Sequence, residues 1–327
     1  MSQTATVVIP NWNGLAHLDE CLTALRAQTL RPARTIIIDN ASTDDSERVV
    51  RERYPEVEWV SMPRNGGFAY GVNEGIRRSD TTYVALLNND TAVEPAWLEE
   101  LVAALERHTD YDIAASRMVL YYDRHLMNAA GDVYLLPRGA ATNRGMRQPL
   151  ARFDEPCRVL GACAGAALYR RSLFDDIGMF DEDFFLMAED TDLNIRALIA
   201  GRKCLYVPDA TVYHKLHVTI DEQPSEQMWS LAARNEAIVV TKDLPLAVVA
   251  LVFVSYAWRL FRSTFPVRPD KWHLIPGLVR TVPERTAADM QGFKMGWKKR
   301  SEVWRTRRVS RLVIMRWLFK GTGRLTS

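Results

Sequence analysis

Residues 83–91, YVALLNNDT, limit what this chain can fold into more than any other stretch. The apolar run 84–87 is short and stops abruptly at Asn88, Asn89 and Asp90. A short apolar run bounded by polar residues predicts a buried strand. Polar groups at the carboxyl end of such a strand lie where open α/β sheets bind ligands.

The residues before it repeat the same unit. The β-branched run 6–9 predicts a strand stopped by Pro10 and Asn11. Leu18, Leu22 and Leu25 recur at helical spacing over 16–28. Residues 35–38 predict a second strand, ending in Asp39. Ser42 or Thr43 is placed to cap a helix running to about Tyr54, with Asp44, Asp45 and Glu47 in its first turn. A third strand is expected near 59–61. Strands alternating with helices predict βαβ units and a parallel sheet. Residues 64–75, RNGGFAYGVNEG, read as a glycine-rich loop feeding a helix through Ile76. That loop lacks both the dinucleotide fingerprint and the Lys-Ser/Thr of a P-loop, yet backbone N–H groups at a helix start still favour an anion.

After the central strand, Glu94-Pro95 opens a helix to about His108, and 113–118 form a strand. Residues 120–158, with Gly131, Pro137, Gly139, Gly145 and Pro149, predict an irregular excursion or hairpin. The small apolar segment 160–169 suits close approach of backbone to a ligand. Glu189 and Asp190 fall in the first turn of a helix continued by Leu193, Ala197 and Leu198. Strands at 204–207 and 211–213 lead to His214-Lys215-Leu216-His217.

Three features carry chemistry. Asp90 is a hard oxygen donor of the kind that suits Mg²⁺ or Mn²⁺ shared with substrate phosphates. Glu189 and Asp190 point about 100° apart on a helix, so one of them can face a cleft and act as a general base. His214 or His217 could complete a metal site, and spacing leaves the choice open. No nucleophile elbow such as GxSxG is present.

At this point six segments, in order and in register, carry a family resemblance: VVIPNWNG, IIIDNASTDDS, RNGGFAYGVNEG, LLNNDT, FDEDFFLMAEDTDLNIR and YHKLH. The chain resembles glycosyltransferase family 2, and more narrowly its rhamnosyltransferase-like branch, over roughly residues 4–242. The resemblance implies a GT-A fold: an α/β, Rossmann-like mixed sheet flanked by helices, here with a C-terminal helical extension. It implies inverting transfer from a dTDP- or UDP-sugar, best read as L-rhamnose from dTDP-rhamnose, to a hydroxyl of a glycan or lipid-linked acceptor in cell-surface polysaccharide synthesis. Pro10, Asn11 and Asp39 match the nucleobase- and ribose-binding positions, and Asn65 and Gly66 the loop near base and sugar. Asn88-Asn89-Asp90 stands in the place of the Asp-x-Asp motif, with Asp90 as metal ligand and Asn88 where the first acid would be. Asp190 matches the catalytic base, preceded by Glu189 on the donor side, and His214 the histidine that completes the metal site. The alternatives are a nucleotidyltransferase on a similar fold and a non-catalytic nucleotide-sugar-binding protein. The first expects Arg or Lys in the first loop, and 10–15 hold neither.

Charge divides the chain in two. From Arg259 onward there are 17 Lys+Arg against 4 Asp+Glu, while the remainder holds 25 against 36. Residues 1–242 are therefore expected as the catalytic domain and 243–327 as a basic, aromatic helical extension. The run 244–258, LPLAVVALVFVSYAW, is shorter than the roughly 20 residues of a membrane span. It suits a buried helix, a homodimer contact or a helix lying in a membrane interface. Trp272, Trp297, Trp304 and Trp317 interleaved with Lys and Arg favour an anionic lipid surface over nucleic acid, for which no binding motif is present. Four cysteines without a CxxC pair, and a start lacking a basic or long apolar leader, predict a cytoplasmic protein held peripherally at the inner face of the membrane.

Overall fold

The computed structural model describes residues 5–135, 140–216, 226–264 and 282–323. The first half runs β1 (Ala5–Asn11), α1 (Leu15–Arg26), β2 (Arg34–Asp39), α2 (Ser46–Arg53), β3 (Glu58–Ser61), α3 (Gly67–Arg78), β4 (Tyr83–Leu87), β5 (Thr91–Val93), α4 (Trp97–Arg107) and β6 (Ile113–Leu120). Then come β7 (Met127–Ala129), β8 (Asp132–Leu135), β9 (Ala140–Asn143), β10 (Cys157–Val159), β11 (Ala166–Arg170), α5 (Arg171–Ile177), α6 (Glu189–Ile199) and β12 (Cys204–His214). The chain closes with α7 (Glu226–Asp243), α8 (Leu246–Thr264), α9 (Val282–Arg305), α10 (Arg311–Lys320) and β13 (Thr322–Gly323).

One mixed sheet organises the described residues, in the order β13-β10-β12-β6-β11-β4-β1-β2-β3, with β5 on β12 and β7 on β6. Strands β3, β2, β1 and β4 are parallel. The parallel βαβ run expected of the first half ends there, and the sheet as a whole is mixed, as the family resemblance implies, because β11 runs antiparallel to both β4 and β6. Alternation along each strand divides the core. Val7, Ile9, Ala85 and Leu87 pack with α1 and α4, whereas Val8, Ile36 and Leu86 pack with α3 and α6. Each fully buried aliphatic side chain adds about 1.5–3 kcal/mol. A third cluster joins α6 to α7, α9 and α10 through Ile195, Ile199, Ile238, Phe293 and Leu318.

The glycine-rich stretch is not a loop over a ligand. It is helix α3 from Gly67 onward. Gly75 faces β1, where an added Cβ would lie 2.2 Å from a Val8 methyl, so this glycine serves close packing of helix on sheet. Neither Ser42 nor Thr43 caps α2. The helix starts at Ser46 with Asp45 at its N-cap, and Ser42 is drawn to Asp39 instead. The two strands expected at 204–207 and 211–213 are one strand, β12, interrupted by a bulge. The excursion 120–158 contains β7, the hairpin β8–β9 and β10. His217, Trp272, Pro137 and Gly139 lie outside the described residues.

The apolar run near 250 is helical from Leu246, after Pro245. Val248, Val249 and Val252 are buried, and Leu246, Leu251 and Val254 are exposed. Among the described residues, no helix is long and apolar enough to cross a membrane.

Candidate functional site

The adjacent strands β2, β1 and β4 end side by side and deliver Asp39, Asn11 and Asn89 to one edge. Asn89 Nδ2 donates to Asn11 Oδ1 at 2.8 Å, and Asn11 Nδ2 donates to Asp39 Oδ1 at 3.0 Å. The Ser42 N–H closes on the other Asp39 oxygen at 3.0 Å. Pro10 sits one residue before, in register with Ile38. Asn65 and Gly66 follow β3 on the same edge. Asn65 Oδ1 accepts from the Gly67 N–H, and the Asn40 amide reaches the Gly67 carbonyl. Three of the candidate site residues, Asn11, Asp39 and Asn89, thus form one hydrogen-bonded rim.

Asp90 and His214 meet although they are far apart in sequence, because β5 pairs with the end of β12. His214 Nε2 lies 3.3 Å from Asp90 Oδ1. The other ring nitrogen, Nδ1, is 2.9 Å from Asn128 Oδ1. An amide oxygen only accepts, so Nδ1 donates to Asn128; Nε2 donates to Asp90 when it too is protonated, and is open to a cation when it is not. Burial opposes ionisation of Asp90, but the His214 contact outweighs it and holds this carboxyl below the usual range. Among the described residues, no group of three or more His, Cys, Asp or Glu side chains gathers as a metal cage. The pair nevertheless fits a divalent ion that takes its remaining ligands from a diphosphate and water, as Mg²⁺ and Mn²⁺ do.

The loop 160–165 links this pair to the acidic helix start. The Asn88 N–H donates to the Gly165 carbonyl at 2.8 Å, and the Ala164 N–H donates to Asp190 Oδ2 at 3.4 Å. The close backbone approach expected of this segment is to Asn88 and to Asn194, which a Cβ on Gly161 would overlap. Asp190 Oδ1 accepts from the Thr191 N–H at 2.7 Å. Burial raises the Asp190 carboxyl above its ordinary value against these hydrogen bonds. Glu189 is only 7% exposed and its Oε2 has no hydrogen-bond partner among the described residues. Burial, and then the charge of Asp190, push its carboxyl up to about 8.

Sequence reasoning missed four neighbours. Asn128 orients His214 from within the irregular excursion. Asp132 is buried, accepts from Asn194 Nδ2 at 3.0 Å, and is held well above the carboxylate range by burial and the charge of Asp190. Lys215 places its ammonium 2.6 Å from Glu20 and 3.4 Å from His17 Nδ1, while its backbone N–H donates to the Asp90 carbonyl. Burial, then the Lys215 charge, lower the His17 imidazole. Only Lys215 carried a signal, as the cation following His214.

The comparisons bear on this geometry. The model of "Glycosyl transferase family 2" matches residues 6–178. The chain is 29% identical over 245 residues to the N-acetylglucosaminyl-diphospho-decaprenol L-rhamnosyltransferase of Mycobacterium tuberculosis, covering 67% of this chain and 78% of that one. It is 25% identical over 224 residues to the O-antigen chain rhamnosyltransferase WbaN of Salmonella anatum, covering 65% and 67%. Among solved structures, S. aureus TarS 1-349 in complex with UDP superposes with a TM-score of 0.54 at 15% identity over 92% of each chain. The mannosyltransferase PcManGT from Pyrobaculum calidifontis, in complex with GDP-Man and Mn²⁺, gives a TM-score of 0.55 at 16% identity, covering 91% and 86%. These structures share the GT-A fold with this chain.

Proposed function

The chain belongs to glycosyl transferase family 2, and on that premise we propose that it moves a sugar, best read as L-rhamnose from dTDP-rhamnose, onto a hydroxyl of a glycan or lipid-linked acceptor with inversion. Two rhamnosyltransferases among its relatives support the sugar, and the decaprenol-linked acceptor named for one of them supports the acceptor class.

One observation carries the mechanism: the carboxylate of Asp190 is presented by loop 160–165 directly beside the strand end that bears Asn88, Asn89 and Asp90. In this reading Pro10, Asn11 and Asp39 hold the base and ribose. Asn65, Gly66, Asn88 and Asn89 line the donor. Asp190, its basicity raised by burial, takes the proton from the acceptor hydroxyl as that oxygen attacks the anomeric carbon. A single displacement by one base, with no second carboxylate as nucleophile, inverts the anomeric centre. Glu189, neutral below about pH 8, can donate a hydrogen bond to a sugar hydroxyl. Asp90 and His214 would hold Mg²⁺ or Mn²⁺, which when bound offsets charge on the departing diphosphate.

Residues 1–242 carry catalysis in this reading, and 243–327 carry attachment. The exposed Leu251, Val254 and Trp297 sit on helices of a strongly basic segment, matching an anionic bilayer surface at the inner face of the membrane. The same exposed apolar residues permit a homodimer.

Nucleotide release measured across a donor panel, with and without Mn²⁺, tests the reading. Turnover with dTDP-L-rhamnose that Asp190→Asn abolishes while dTDP still binds is the expected result. Undiminished transfer by a folded Asp190→Asn protein refutes the base. Co-sedimentation with anionic but not neutral vesicles tests attachment.

A further inference from the structure

The segment that presents Asp190 is bent in an unusual way. Met187 and Ala188, immediately before α6, both lie in the left-handed region, with φ of 72° and 67°. Neither is glycine, and L-residues with a Cβ rarely adopt this conformation, still less in succession. Ala188 is the N-cap of α6 and no side chain caps that helix. The turn therefore cannot be explained by its own sequence. Something outside it must hold it.

The holding group is on α7. Asn235 is fully buried, at 0% exposure. Its Nδ2 donates to the Leu186 carbonyl at 2.9 Å and to the Met187 carbonyl at 2.8 Å. Its Oδ1 accepts from the Arg234 guanidinium at 3.0 and 2.8 Å, and the same guanidinium reaches the Asp183 carbonyl at 2.9 Å. The amide is thus fixed in orientation by Arg234 and spends both of its protons on the two carbonyls at the turn. Helix α7 is anchored in turn, since Lys242 Nζ lies 2.5 Å from both Asp181 and Asp192.

From the opposite side α3 fixes the same segment. Asn73 closes on both the N–H and the carbonyl of Phe180, and the Phe68 N–H donates to the Phe185 carbonyl. The segment 180–188 is therefore gripped between the helix that follows Asn65-Gly66 and a helix that lies beyond the family-matched residues.

We infer that Asn235 is a positioning residue for transfer: it holds the Leu186–Met187–Ala188 turn and thereby aims Asp190 at the acceptor hydroxyl, without touching either substrate. The inference rests on Asp190 being the base. Releasing the two carbonyls lets the turn relax toward ordinary backbone angles and swings the first turn of α6. A displacement of about 1 Å in a reacting group costs on the order of 100-fold in rate.

The test compares Asn235→Ala, Asn235→Ala with Ala188→Gly, and Asp190→Asn. Turnover is read as dTDP release from dTDP-L-rhamnose, or from whichever donor the panel selects, and affinity by calorimetry with dTDP and Mn²⁺. Asn235→Ala is expected to lose at least tenfold in kcat with dTDP affinity and donor KM within about twofold. Ala188→Gly, which tolerates the positive φ without an external hold, is expected to recover part of that loss. It also keeps the comparison available if Asn235→Ala alone does not fold. A folded Asn235→Ala with kcat within threefold of wild type, beside an inactive Asp190→Asn, overturns the role of Asn235 alone. Loss of kcat and dTDP affinity together also overturns it, because that marks general damage. Activity surviving in Asp190→Asn removes the base and the inference with it.

Discussion

Replacing Glu189 by Gln should flatten the pH dependence of stability in a predictable way. Glu189 is buried, its Oε2 has no partner among the described residues, and its carboxyl is raised from 4.5 to about 8, first by burial and then by the charge of Asp190. Between those two values the folded protein keeps a proton that the unfolded chain has released. Its contribution is thus fully present below about pH 4.5 and is lost as pH rises toward 8. The linkage slope is about 1.4 kcal/mol per pH unit for one proton. From about pH 5.5 to about pH 7.5 this one group should cost the wild type roughly 2–3 kcal/mol. Gln is nearly isosteric and never ionises. The buried Asp132, Asp190 and Asp243 are also raised, but they remain in the variant and, with residue 189 largely neutral over this interval in both folded proteins, cancel in the difference. Urea unfolding of both proteins at these two pH values, at constant ionic strength, gives the number. The wild type should lose roughly 2–3 kcal/mol more than Glu189→Gln across the interval. Parallel losses would mean that Glu189 is already ionised near neutrality, and its role as a neutral donor would fall with it.

Lys242→Ala removes the ammonium between Asp181 and Asp192 and strands buried carboxylates, so unfolding free energy should drop by about 3–5 kcal/mol in denaturant titration. Gly67→Ala puts a Cβ 2.0 Å from the Phe185 carbonyl oxygen at a φ of +85°. It should lower stability by more than the roughly 1–2 kcal/mol of the left-handed conformation alone, visible as a fall in Tm. Asn128→Ala frees His214 Nδ1 and should weaken Mn²⁺ activation by about 10–100-fold, read from a Mn²⁺ titration of turnover.

The N-terminal sheet was legible because its signals are local. Strands β1, β2 and β4 are short apolar runs, and the residues that end them are the polar ones that form the rim. Helix α3 was misread because four glycines in twelve residues suggest a loop. Yet Gly67, Gly71 and Gly75 recur every four residues, which is a helical stripe, and their contacts with Phe185, Asn40 and Val8 explain why nothing larger fits. The pairing of Asp90 with His214 could be drawn only through the family resemblance, since it depends on β5 returning to β12. Asn128, Asp132 and His17 have no local pattern at all. Each becomes meaningful through burial beside a partner brought from another element.

The two ends of the site are rigid for different reasons, and this limits how the protein can be dissected. At the sheet edge, Asn89, Asn11 and Asp39 are fixed by the strands they terminate. At the acidic end, Asp190, the proposed base, depends on α7, and α7 depends on α9: Gly292 and Gly296 let the two helices touch, with any Cβ there within 2.3 Å of α7 atoms. Lys299 of α9 also reaches Asp181 at 2.6 Å, at the head of the gripped segment. Removing residues 282–323 should therefore abolish turnover, while the sheet edge proposed to hold the nucleotide should keep its affinity for dTDP. Point changes at two exposed apolar residues, Leu251→Asp with Trp297→Asp, remove apolar surface while leaving the Gly292 and Gly296 contacts with α7 in place. They should release the protein from anionic vesicles while leaving turnover on a soluble acceptor within about twofold. A truncated chain that still turned over at the wild-type rate would show that the base needs no support from the C-terminal helices.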